Sequence, residues 1–112
     1  EQAIVERAVQ LPLRAPIVIV AICKYKENDK VPRVEQVAST ACAVHSMQIA
    51  ALAQGFQGVW RTGHYAQDKV VKDAFSCFEH DEILGFLYLG SSKLKTMPKP
   101  QRDSAEYFDI WE

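Results

Sequence analysis

Residues 41–53 are apolar nearly all the way round a helical wheel, interrupted only by His45, Ser46 and Gln48. They sit inside the longest periodic segment of the chain, residues 34–54, and Gly55 follows where a helix commonly closes. A helix that is apolar on every side is buried on every side. A chain of 112 residues has little material with which to cover one. The small residues along it, Ala38, Ser39, Ala41, Ala43, Ala50, Ala51 and Ala53, allow a second helix to approach closely. A central helix at a subunit interface is therefore expected.

The remaining segments supply a sheet for that helix. Residues 1–10 place Ile4, Val5, Ala8 and Val9 on one helical face and stop before Pro12. Residues 17–23 are a β-branched run, which reads as a strand buried on both faces. Residues 24–33 are polar, with Asn28-Asp29-Lys30 as their turn. After Gly55 comes a loop and short strand through Trp60 to Gly63. A short helix is expected over residues 66–75, with Val70, Val71, Ala74 and Phe75 inward. Residues 77–81 read as a turn, and residues 82–90 as a second buried strand. Residues 91–104 are polar and read as a tether. The end carries Tyr107, Phe108, Ile110 and Trp111, apolar enough to require cover, and the tether is long enough to reach a neighbouring subunit. This order of helices and strands predicts a mixed α/β arrangement in one domain.

Composition removes several classes of function. Thirteen basic and fourteen acidic residues give a net charge of −1, without the basic excess of a nucleic-acid module. No apolar run approaches the roughly 18–20 residues that span a bilayer, and residues 1–7 lack the basic leader and apolar core of a signal peptide. The chain opens without Met, inside a helical pattern, as an internal piece of a longer protein would. Cys23, Cys42 and Cys77 are odd in number and each lies in an apolar setting, so buried, reduced thiols in a cytoplasmic protein are expected.

Familiar catalytic patterns are missing. Cys42 and His45 share a helical face, but the surroundings disfavour a thiolate, and core packing is the reading for Cys42. His45, His64 and His80 lack metal-ligand spacing, so no metal site is expected, and His64 and His80 read as exposed loop residues. The glycines of residues 55–58 follow a helix instead of opening one, so neither a dinucleotide fingerprint nor a phosphate loop is present.

The informative stretch is residues 50–63, AALAQGFQGVWRTG: an alanine-rich helix end, a glycine-spaced turn and a tryptophan. Here the chain resembles the nitroreductase family of flavoproteins, most closely the small bacterial NAD(P)H nitroreductases. Arg14-Ala15-Pro16, residues 28–33, residues 83–90 and Leu94-Lys95 fit the same group, so the likeness covers about residues 1–95. It implies an α+β fold with a mixed sheet flanked by helices, in an intertwined homodimer whose C-terminal tail is exchanged between subunits. It further implies FMN as cofactor and NAD(P)H as reductant. By the same resemblance, hydride is expected to pass to the flavin and electrons then, in ping-pong fashion, to a nitroaromatic, quinone or similar small-molecule acceptor. No protein nucleophile is required, because the cofactor carries the chemistry.

By the same resemblance, Trp60, Arg61 and Thr62 contact FMN, and Ala50, Ala51, Leu52, Ala53, Gln54 and Gly55 contact NAD(P). The residues themselves leave other roles open. Trp60 also reads as a core aromatic, Arg61 as a surface cation, and Ala50, Ala51 and Ala53 as packing. Lys93, Lys95, Lys99 and Arg102 read as a solvated tether or as partners for a phosphate. Family members carry an N-terminal Arg-Arg-Ser-like motif for the FMN phosphate, and this sequence has none. Residues 1–112 are therefore expected to be the C-terminal portion of one nitroreductase-like domain, with residues 1–95 as its core and residues 96–112 as tether and tail. The rival reading is a non-catalytic dimerisation or ligand-binding module on the same fold.

Overall fold

The strand Glu82–Gly90, here β3, holds the centre of the structure, a computed structural model that describes residues 2–93 and 97–111. Its neighbours are β1 (Ile17–Cys23) on one side and β2 (Gln57–Arg61) on the other, both antiparallel, in the order β1-β3-β2. All three strands run where the sequence predicts. The mixed sheet that the resemblance implies is represented among these residues by antiparallel pairs alone.

The predicted central helix is α2, Arg33–Ala53. Its turns bring Val44 and Ala51 against the sheet, where Ala21, Val44 and Leu87 form the core and Ile19, Met47, Trp60, Leu84 and Leu89 pack around it. Gln48, one of the polar interruptions, donates from Nε2 to the Gly58 carbonyl at 2.9 Å and so ties α2 to β2. The helix ends on Gly55 at φ +85°, with Phe56 N–H donating to Ala51 O and Gly55 N–H to Leu52 O, both at 3.0 Å. That is the Schellman arrangement, and it needs a residue free to turn left-handed.

Burial on every side is not what the structure shows. The α2 face opposite the sheet is open, with Val34, Ile49 and Leu52 at 72%, 52% and 62% exposure. Cys42 lies on this side, so the expectation that it packs in the core is corrected: two residues from Val44, it is turned roughly 200° away from it. Of the three thiols only Cys23 is buried, and Cys77 is half-buried.

The other face of the sheet is also only partly covered. In β1, Ala21 and Cys23 are buried, Val18, Ile19 and Val20 are half-buried and Ile17 is exposed, so this strand is not enclosed on both sides. The helix expected over residues 66–75 is a 3-10 turn at His64–Ala66 followed by α3, Lys69–Ala74. Asp68 sets its start by accepting from Val70 N and Val71 N at 2.8 and 3.1 Å. Of the four residues expected to face inward, only Val71 is half-buried; Val70, Ala74 and Phe75 are exposed. The first helix, α1 (Gln2–Gln10), is followed by a 3-10 turn over Leu11–Arg14, and its apolar face is uncovered. The aromatic tail is likewise exposed, with Trp111 at 95%. Leu94 and Lys95, together with the expected core–tether boundary after residue 95, fall outside the described residues.

Candidate functional site

Strand alternation decides what residues 60–62 present. Side chains at successive strand positions point to opposite faces. Trp60 turns toward α2, half-buried against the core, and its indole Nε1 donates to the Leu84 carbonyl at 3.1 Å. Thr62 donates from Oγ1 to the same carbonyl at 3.3 Å. Arg61, between them, points to the opposite face. There it lines a cleft of about 380 Å³ with Arg14, Pro16, Val59, Tyr88 and Leu89.

The cleft joins apolar walls to two guanidiniums, and neither guanidinium has a hydrogen bond or ion pair among the described residues. No carboxylate among the described residues lines it. A flavin ring is an apolar plate with a polar edge that gains negative charge on reduction, and unneutralised donors beside apolar walls suit such an edge. The residues present therefore fit the ring portion of FMN.

The second predicted set is the end of α2. Ala51 is buried beneath it, whereas Ala50, Leu52, Ala53, Gln54 and Gly55 are exposed. Gln54 folds back, its Nε2 donating to Ala50 O at 3.2 Å. This set lies on the α2 side of the sheet and the Arg61 side chain on the other, so the two sets are neighbours in sequence but present different surfaces. Phe56 alone separates Gly55 from β2.

A polar cluster at the opposite end of β1 was not legible as such in the sequence. Asp81, 4% exposed, accepts from Lys24 Nζ at 2.6 Å, Tyr25 N at 3.0 Å and Phe78 N at 2.8 Å. The Lys24 ammonium, helped by the Phe78 and Tyr25 amides, holds the Asp81 carboxyl below the ordinary carboxylate range in spite of burial. Arg33 donates from Nη1 to His80 O at 2.9 Å and from Nη2 to Glu82, whose carboxylate raises the guanidinium's pKa. Tyr25 lies under that guanidinium, 5.2 Å from its ring centroid, and edge-on to His80. The cluster borders a second cleft of about 460 Å³. Its pairs tie the end of β1 and the start of α2 to residues 76–82 before and at the start of β3, which makes it a fastening. Asp81 reads in the sequence as one residue of a turn because two of its three partners, Lys24 and Tyr25, lie more than fifty positions away. His80 is exposed, as is His64.

Among the described residues, no group of three or more His, Cys, Asp and Glu is placed to hold a metal ion. None of the described helices is long and apolar enough to cross a membrane.

With this geometry in hand, comparison with known proteins is specific. The pattern of the Nitroreductase family matches residues 2–91. A relative named "Putative NAD(P)H nitroreductase YdjA", from Escherichia coli (strain K12), is 52% identical over 91 residues, 81% of this chain and 50% of that protein. Another, "Putative NAD(P)H nitroreductase" of Haemophilus influenzae, is 36% identical over 98 residues, 87% of this chain and 51% of that protein. The chain thus spans about half the length of these curated relatives. In fold it is similar to the crystal structure of a nitroreductase-like family protein from Bacillus cereus. The TM-score is 0.80 at 22% identity, covering 100% of this chain and 61% of the other. The chain belongs to the nitroreductase family.

Proposed function

We propose that this chain is the C-terminal portion of an FMN-dependent NAD(P)H oxidoreductase that works as a homodimer in the cytoplasm. The observation that carries this reading is the presentation of Trp60, Arg61 and Thr62. Two are anchored on one carbonyl, and the third extends a guanidinium, unpaired among the described residues, into a cleft with apolar walls. In this reading Arg61 meets the flavin ring in the cleft, placing positive charge where the reduced ring becomes anionic, while Trp60 and Thr62, turned toward α2, brace the strand that carries it. The exposed end of α2, Ala50 to Gly55, receives by shape the part of NAD(P)H remote from the reacting ring, since this surface faces away from the Arg61 cleft and hydride passes only between rings in contact. FMN, when bound, supplies the two-electron carrier between NAD(P)H and a nitroaromatic, quinone or similar acceptor.

The homodimer belongs to the same proposal. The open face of α2 and the tail from Tyr107 to Trp111 are apolar surfaces in search of cover. A partner subunit supplies it by packing helix against helix and taking the tail onto its own sheet. These surfaces also favour the rival reading, a dimerisation or ligand-binding module without catalysis.

One titration separates the two. FMN is added while flavin fluorescence is followed, and NAD(P)H is then added without oxygen. The oxidoreductase reading predicts quenching on binding, bleaching by NAD(P)H and recovery of colour on adding a nitroaromatic. Binding without bleaching supports the module, and no binding contradicts both roles for residues 60–62.

A further inference from the structure

The pairing of β1 with β3 slips by one residue. Ala21 pairs with Gly85 and Ile22 with Ile83, which leaves Leu84 as an extra residue in β3. Such a bulge takes a carbonyl out of the regular ladder and redirects it. Here the Leu84 carbonyl meets two side-chain donors from the β2 side, Trp60 Nε1 and Thr62 Oγ1. The two donors are at positions i and i+2, so fixing both leaves the intervening Arg61 only the opposite face, where the cleft lies.

Gly85 makes this possible. Its φ is +148°, and a Cβ there would stand 2.3 Å from Trp60 Nε1 and 2.6 Å from the Arg61 carbonyl oxygen. Neither neighbour is the loose end of a flexible chain: one is a hydrogen-bonded indole and the other is backbone.

We propose that the Leu84–Gly85 bulge is the positioning element for residues 60–62, setting the direction in which Arg61 enters the cleft. Gly85 touches no reacting atom and acts through Trp60 and Arg61. The proposal rests on the flavin reading for its consequence, but the positioning itself has a signature that needs no flavin.

The test uses the whole chain with Trp111→Phe as parent, so that Trp60 is the sole tryptophan. Two quantities are measured: the emission and near-ultraviolet dichroism of Trp60 without cofactor, and the affinity for FMN. Gly85→Ala is expected to shift the Trp60 signals and weaken FMN binding about five- to tenfold, the effect of one misplaced hydrogen-bonded group. Thr62→Val should weaken FMN binding by a similar factor, whereas Thr62→Ser, which keeps the hydroxyl, should restore it. A folded Gly85→Ala variant with unchanged Trp60 signals and FMN affinity would overturn the proposal. If Gly85→Ala does not fold, the Trp60 signals of Thr62→Val against Thr62→Ser, read without FMN, decide: unchanged signals in Thr62→Val overturn it, and a shift that Thr62→Ser reverses supports it. Should the parent bind no FMN, the flavin reading falls. The Trp60 signals of Gly85→Ala and Thr62→Val then decide the positioning: shifted signals in either support it, and unchanged signals in both overturn it.

Discussion

At the scale of single residues, the structure rests on a few positions whose chemistry leaves little choice. Asp81 is one. Its carboxylate joins Lys24 and two backbone amides, and its pKa in the fold lies below the unfolded value. A depressed carboxyl stabilises the fold above its unfolded pKa, and that contribution is lost as pH falls through the lower folded value. Acid should therefore lower the melting temperature of the parent in that window. Asp81→Asn should melt lower than the parent at neutral pH and show a flatter response to acid. Thermal melts between neutral pH and pH 3 check this, and a variant as acid-sensitive as the parent contradicts it. Gly55 is another. At φ +85° with nothing near a built Cβ, Gly55→Ala meets only backbone strain, expected at about 1–2 kcal/mol in chemical denaturation. Gly55 was legible in the sequence because helix closure is a local event. Gly85 was not, because its constraint comes from Trp60, twenty-five positions away along the chain.

At the scale of elements, periodicity carried the sequence furthest. β1 and β3 run where their apolar runs begin and end, and α2 differs from its predicted span by one residue at each end. Periodicity states which residues are apolar but not what covers them, and the differences arise there. Val70, Phe75 and Cys42 read as inward because they are apolar, yet Val70 and Cys42 are exposed and Phe75 reaches only the rim of an apolar cleft it shares with Val18, Val20 and Phe86. The site was half legible for the same reason. The motif around Trp60 marked the segment, but its side chains could be assigned to faces only once β2 was paired with β3. Within the elements, Leu87 joins the sheet to α2 and is fully buried. Leu87→Ala should cost about 2–5 kcal/mol by denaturant titration. A cost under about 1 kcal/mol would mean that the small core is not what holds α2 on the sheet.

At the scale of the whole molecule, the chain exposes far more surface than its size requires. Its accessible area is 9841 Å², against about 6,200 Å² for a compact monomer of this mass. The radius of gyration is 17.6 Å, against about 13 Å for a compact domain of this length. An excess on this scale is what a portion of a domain leaves for the rest of that domain and a partner subunit to cover between them. Sedimentation velocity should find a dimer. Ile49→Lys combined with Leu52→Lys, on the open face of α2, should weaken association at least about a hundredfold, the effect of placing charge in an apolar interface. Dimerisation unaffected by both lysines would move the interface away from α2.

In the proposed function, residues 60–62 are where flavin meets protein. Amide hydrogen exchange, measured with and without saturating FMN, tests that most directly. FMN should slow exchange across residues 57–62 and, through the shared Leu84 carbonyl, at residues 84–86. Protection that leaves residues 57–62 untouched while FMN is bound would contradict it.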